Sequence, residues 1–299
     1  MNQTPANSAA STKIGLVAGW GGYPVAVARA MKRQGYTVYC VAIKDHADPV
    51  LRRICDDFYE IGLGRLGAGI RYFRNHRVCK VTMAGKVHKV QLFERFAWLK
   101  HLPDWHTIRA FYPHFVTTTK DCRDDTLLRA VVDAYAAEGI TVAPATDFAP
   151  ELLVKFGQLS GRRLSVVQRK DIEFGWQIAR ELGRIDVGQS VAVKNRAVLA
   201  VEAIEGTDQC IRRAGELCEA GRFTVVKVAK PQQDMRFDVP TIGLGTLRTM
   251  VEARAGVLAV EADKTIIVDQ TEVIALANRH RVKLVALHED GLGKRAEAA

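Results

Sequence analysis

Short apolar runs alternate with stretches of helical spacing along most of the chain. Residues 14–18, 37–43 and 80–84 are apolar runs that predict buried strands, and residues 57–61 predict a shorter one. Between them, 25–34 (with Gly35 as a stop) and 67–75 repeat apolar residues at helical intervals. Residues 124–137 predict an amphipathic helix ended by Gly139, and 141–143 a last short strand. Strand–helix alternation of this kind implies a parallel, doubly wound sheet.

The rhythm resumes after a polar, proline-bearing stretch from Pro144 to about Gly161, which predicts a linker. Helices are expected at 170–182, 208–218, 246–255 and 271–281, and strands at 190–194, 198–203, 224–229 and 282–287. Residues 256–261 and 265–269 look like a hairpin pair, and 230–243 a loop. The fold class is therefore α/β with two α/β domains. The first is a Rossmann-like parallel sheet over 13–145, and the second a smaller mixed-sheet domain over 166–290. Residues 1–12 and 291–299 are expected to be disordered ends and 146–165 the linker. Residues 89–118 fit neither pattern: Phe93, Phe96, Trp98, Trp105, Phe111, Tyr112 and Phe115 are interleaved with His101, His106 and His114. A helix over 90–100 and packing between domains or subunits are the expectations there.

Composition adds three constraints. No apolar run approaches the roughly 18 residues of a membrane span. The six cysteines form no CxxC pair, which fits reduced thiols in a cytoplasmic compartment. The formal net charge of +10 favours acidic ligands or surfaces. Its scatter, without a basic block, argues against nucleic acid as the partner.

Five stretches could carry chemistry. Gly19-Trp20-Gly21-Gly22-Tyr23-Pro24 follows the first strand, where glycines let a phosphate approach backbone N–H groups at a helix start; a plain tight turn reads equally well. Gly85-Lys86 ends the fourth predicted strand, where ligands of open parallel sheets bind. Asp124-Asp125 opens a helix and could cap it or meet a metal or ribose. Asp186 to Gln189, then Glu202, Glu205, Gly206, Thr207 and Asp208, crowd carboxylates at a strand-to-helix junction. Thr207 or Asp208 could cap that helix, which leaves Glu202 and Glu205 to hold a hard cation such as Mg²⁺. The segment from Lys227 through Lys230, Gln233, Asp234, Arg236, Asp238, Thr241 and Gly243 alternates cations, acids and amides between Pro231 and Pro240. Pyrophosphate hydrolysis needs that mixture: cations neutralise phosphoryl oxygens, and a carboxylate binds metal or orients water.

Taken in order, these stretches resemble the LpxI-type UDP-2,3-diacylglucosamine pyrophosphatases. The resemblance rests on Gly19–Pro24, Ala84-Gly85, Asp124 to Arg129, Asp186 to Gln189, the segment LAVEAIEGTD ending at Asp208 with Arg212-Arg213, and Lys227 to Gly243. It covers about residues 13–288. It implies two domains with the uridine nucleotide on the first and the acylated glucosamine on the second. It also implies hydrolysis to UMP and a lipid-sugar phosphate with a divalent metal, and a key aspartate before Pro-Thr-Ile-Gly, here Asp238. With the residue reading it gives Asp238, Asp234 and Lys227 as catalytic. Glu202, Glu205 and Asp238 become the Mg²⁺ ligands. Gly19, Gly21, Gly22, Pro24, Gly85, Lys86, Asp124, Asp125, Gln189, Gly206, Thr207, Asp208, Lys230, Gln233, Arg236, Thr241 and Gly243 become substrate contacts. An acylated substrate implies transient contact with the inner face of the cytoplasmic membrane, and a homodimer is the assembly to look for. A non-catalytic nucleotide-sugar binding protein, or an enzyme on a related substrate, is the alternative. Trp20, Tyr23 and residues 86–118 depart from the family pattern.

Overall fold

The computed structural model describes residues 12–86, 104–109 and 124–291. Contacts divide the chain into two compact units, residues 1–150 and 151–299. The side chains of Asp124 to Leu127, the helix expected over 90–100 and most of the aromatic stretch lie outside the described residues.

The first unit is built on a five-stranded, wholly parallel sheet of order β3-β2-β1-β4-β5. The strands are β1 Lys13–Ala18, β2 Thr37–Ile43, β3 Asp57–Ile61, β4 Lys80–Ala84 and β5 Thr141–Val142. Helices α1 Tyr23–Arg33, α2 Leu51–Ile54, α3 Leu66–Asn75, α4 Asp124–Ala137 and α5 Ala145–Phe148 connect and flank them. The central strands are apolar almost throughout, because a parallel sheet is covered on both faces: Leu16, Val38, Cys40, Val41 and Val81 are fully buried. Strand order reverses between β1 and β4. Their carboxyl ends therefore flank the crevice where open α/β sheets take ligands.

The stretch expected to be a linker is more structured than its composition suggests. It contains α5, a turn of 3₁₀ helix at Pro150–Leu152 and strand β6 Gly157–Gln158, which pairs antiparallel with the last strand. Two residues are too few to show a periodicity.

The second unit has a six-stranded mixed sheet of order β6-β13-β11-β9-β7-β8. Its strands are β7 Ser190–Lys194, β8 Ala197–Val201, β9 Thr224–Lys227, β11 Val257–Glu261 and β13 Lys283–Leu287, besides β6. Helix α6, Val166–Arg184, covers one face, with Ile172, Trp176 and Ala179 packed on Val191, Val193, Val226 and Val257. Helices α7 Thr207–Leu217, α8 Leu244–Glu252 and α9 Gln270–Arg279 cover the other through Ile211, Ala214, Leu247, Met250, Val273 and Ala277. Helix α6 starts four residues earlier than its apolar spacing predicts, because Ser165 and Gln168 form a reciprocal capping box. The hairpin expected over 256–269 does not form. Strand β11 lies between β9 and β13, parallel to both, while β12 Ile266–Ile267 pairs parallel with β10 Thr241–Ile242 in a separate two-stranded sheet. At Asp263, whose N–H donates to the Val154 carbonyl at 2.8 Å, the chain turns away from the main sheet.

Candidate active site

In the first unit the glycine turn and the end of β4 are joined by backbone. Gly19 N–H donates to the Ala84 carbonyl at 2.8 Å, and Trp20 and Lys86 exchange N–H···O bonds of 2.7 and 3.0 Å. Glycine is required on both sides. Gly85 has φ +94°, and a Cβ there would lie 2.8 Å from the Gly19 carbonyl carbon and from Pro24 Cγ. Gly22 flanks the start of α1, and Pro24 stands in its first turn. Gly21, with φ +104°, would have nothing against an added Cβ. The turn therefore presents open backbone at the mouth of the crevice. Tyr23 sits beside it with its phenol pushed above its ordinary pKa by burial and no hydrogen-bond partner among the described residues.

In the second unit, strand direction gathers side chains at one edge of the sheet. Because β7 runs against β9, the first residue of β7, Ser190, pairs with the last residue of β9, Lys227, and Lys227 pairs with Val260 near the end of β11. Glu202 directly follows β8 and its N–H donates to the Ser190 carbonyl at 2.9 Å. Three of the expected residues meet here. The buried Lys227 Nζ donates to Thr207 Oγ1 at 2.8 Å, and Thr207 in turn donates to Glu202 Oε1 at 2.8 Å. Glu202 Oε2 lies 4.0 Å from the ammonium. Burial by itself would raise the Glu202 carboxyl. The Lys227 charge, with Ser190, Thr207 and the Gln189 backbone around it, outweighs burial and holds it below its usual range.

This geometry bears on the roles expected of Thr207, Glu202 and Glu205. Thr207 does not cap α7: the capping position is Gly206, which has no side chain, and the Thr207 hydroxyl is committed to Glu202. Glu202 and Glu205, expected as cation ligands, each face a cationic side chain here: Glu202 faces Lys227 and Glu205 is bound by Arg213. Among the described residues no three His, Cys, Asp or Glu side chains converge as a metal cage. Ser190, whose Oγ lies 3.5 Å from Thr207 Oγ1, belongs to the cluster and was missed. Nothing in a lone serine opening an apolar run marks it out.

The loop after β9 is folded upon itself. Lys230 Nζ donates to Asp186 at 2.7 Å, and its N–H to Gln233 Oε1 at 2.8 Å. Asp234 accepts from the Arg236 guanidinium at 2.6 to 3.1 Å, so this expected catalytic carboxylate is engaged within the loop. The half-buried Asp238 follows a turn in which its N–H donates to the Asp234 carbonyl at 3.0 Å. Thr241 Oγ1 donates to the Val239 carbonyl at 2.9 Å, and Gly243 precedes α8. The Pro240 carbonyl, accepting from Ile266 N–H at 2.8 Å, fixes the far end to β12. Gly206, at φ +81°, leads into α7, whose first turn, with Asp208, brings the positive end of a helix beside Lys227 and Thr207. Buried cation, helix terminus and loop carboxylates together suit a phosphorylated ligand more than an apolar one.

Comparison with known proteins agrees across the chain. Residues 13–152 match the LpxI N-terminal domain and residues 155–285 the LpxI C-terminal domain. The UDP-2,3-diacylglucosamine pyrophosphatase LpxI of Caulobacter vibrioides is 33% identical over 273 residues, which are 89% of this chain and 94% of that protein. Among solved structures, a biotin carboxylase from Campylobacter jejuni aligns with a TM-score of 0.27 at 11% identity, over 72% of this chain and 44% of that one. A biotin carboxylase domain from Hydrogenobacter thermophilus gives 0.26 at 14%, over 71% and 42%. The chain thus spans less than half of either.

Proposed function

The chain belongs to the LpxI family, and on that premise we propose that it hydrolyses the pyrophosphate of UDP-2,3-diacylglucosamine to UMP and 2,3-diacylglucosamine 1-phosphate, a step of lipid A synthesis. One water is consumed. Its oxygen bonds to one phosphorus as the bridging P–O bond breaks, and the bridging oxygen leaves on the other phosphate.

The observation that carries the site assignment is the buried Lys227–Thr207–Glu202 relay beside the start of α7. Lys227 takes phosphoryl charge, and the uncapped turn of α7 offers backbone N–H groups to it. Glu202 sets its carboxylate 4.0 Å from the buried Lys227 Nζ, and Thr207 fixes the direction of that group. Lys230 and Arg236 add positive charge along the loop. Asp238 is the reacting carboxylate and holds the attacking water. The glycine turn and Gly85-Lys86 of the first unit take the nucleotide. Mg²⁺ characteristically uses one or two carboxylates plus substrate phosphates in place of a protein cage. The donor set fits that pattern, with Asp238 as the protein ligand. When bound, the ion would neutralise charge on the phosphoryl oxygens.

The test is a product assay with UDP-2,3-diacylglucosamine and Mg²⁺, with and without chelator. Release of UMP that stops with chelator is expected, and no release in either condition would refute the reading. Asp238→Ala should fold and bind substrate yet release no UMP, and an active variant would sink the role given to this residue. The acyl chains imply that the enzyme meets its substrate at an anionic membrane surface, a contact favoured by the net charge of +10.

A further inference from the structure

Ala229, the second residue beyond β9, has an apolar side chain, yet both polar groups of its backbone are held by charged side chains from distant elements. Its N–H donates to Glu261 Oε2 at 2.9 Å, and its carbonyl accepts from Arg180 Nη1 at 3.1 Å. Arg180 Nη2 and Glu261 Oε1 pair at 3.3 Å, which closes a ring around the backbone of one residue, from the N–H of one peptide group to the carbonyl of the next. The pair is reinforced from outside: Lys264 Nζ lies 2.8 Å from Glu261 Oε1, and Glu289 takes Arg180 Nη2 at 2.5 Å. Glu261 is nearly inaccessible, with 4% of its side chain exposed against 17% for Arg180. A buried carboxylate so placed needs all its partners, because removing one leaves an uncompensated charge.

The same end of α6 grips the following residues. Lys230 Nζ is bound by Asp186, just past the helix. A Cβ at Gly183 would lie 3.2 Å from Lys230 Cα and from Pro231 Cδ, so backbone and proline pack directly on the helix. The loop from Lys230 to Pro240 therefore departs from a root fixed at Ala229, two residues after Lys227.

We propose that Arg180 and Glu261 are positioning residues for the hydrolysis: by clamping the Ala229 backbone on both sides of its Cα they hold Lys227 and the Asp238 loop in mutual register. This rests on the pyrophosphatase reading given above. Neither residue reaches the phosphates in this role. Both act through the backbone.

The test uses the full-length protein with Arg180→Met, Arg180→Lys and Glu261→Gln. Expected for Arg180→Met and Glu261→Gln is a fall in kcat of about tenfold to a hundredfold, the scale of a slightly misplaced catalytic group, with KM changed by less than about threefold. Arg180→Lys, which retains a donor for the carbonyl, should recover part of kcat. Amide exchange at residues 229–238 should quicken while exchange in β7, β9 and β11 stays as in the unmodified protein. An unchanged kcat would overturn the proposal. So would a loss of activity matched by faster exchange throughout the sheet, which marks a merely structural pair. If the unmodified protein releases no UMP, the pyrophosphatase reading fails by itself, and exchange at residues 229–238 still decides whether the clamp holds the loop.

Discussion

At the scale of the residue, the site turns on one hydroxyl. Thr207 has a single proton to give, and it gives it to Glu202 while accepting from Lys227. Thr207→Val keeps the shape and removes both bonds, leaving a buried ammonium and a buried carboxylate each short of a partner. We expect a loss of about 1–3 kcal/mol in denaturant unfolding. A larger proportional fall in kcat is expected, and Thr207→Ser should restore most of both. Glu202 adds a pH dependence. Its folded-state pKa is depressed, so its stabilising contribution is complete above the ordinary glutamate range and is lost as pH falls through the lowered value. Unfolding measured against pH should show this acid limb in the unmodified protein, and Glu202→Gln should flatten it.

At the scale of the element, close backbone approach does the placing. A Cβ at Gly188 would fall 2.1 Å from the Glu202 carbonyl oxygen, so only glycine lets the entry to β7 lie against the exit of β8. Gly188→Ala should lower the midpoint of thermal unfolding by an amount equivalent to about 1–3 kcal/mol, the cost of overpacking. It should also displace Glu202 and so reduce turnover. Elements of this kind were partly legible. The runs at Thr37–Ile43, Lys80–Ala84 and Ser190–Lys194 are apolar and bounded by turn residues, and they are strands with those limits. The partner of a strand is not written in its own residues. Ile266–Ile267 follows β11 closely enough to suggest a hairpin, yet it joins Thr241–Ile242, which no local pattern indicates. The crowding of Glu202, Glu205, Thr207 and Asp208 was visible as composition, but only the fold shows that Lys227 meets Thr207 and that Arg213 takes Glu205. Arg180 and Glu261 were silent because a helix interior and a strand end are ordinary places for a charge. Their meaning lies in a contact across 81 positions.

At the scale of the whole molecule, charge is the property that a membrane-borne substrate would exploit. No helix among the described residues is long and apolar enough to cross a bilayer. With a formal net charge of +10, attraction to anionic lipid should be electrostatic. In sedimentation with vesicles the protein should bind those rich in anionic lipid, release them as salt rises, and ignore neutral ones. Binding that is indifferent to salt would refute this mode of attachment.

Helix α6 has one more consequence. At its beginning the buried Asp171 accepts from the N–H groups of Asn195 and Arg196 at 3.1 and 2.7 Å, holding the hairpin between β7 and β8. At its end Arg180 grips Ala229. The two side chains flank the apolar stripe of Ile172, Trp176 and Ala179 from opposite sides, one toward each end of the strands β7 and β9. The helix is thus a ruler with both ends fastened. Between them, outward-facing residues are free to drift in kind but not in number. A single inserted or deleted residue would turn one end by about 100° and shift it by about 1.5 Å against the other. Only one fastening could then survive, and relatives that preserve both should differ in this stretch by substitution alone.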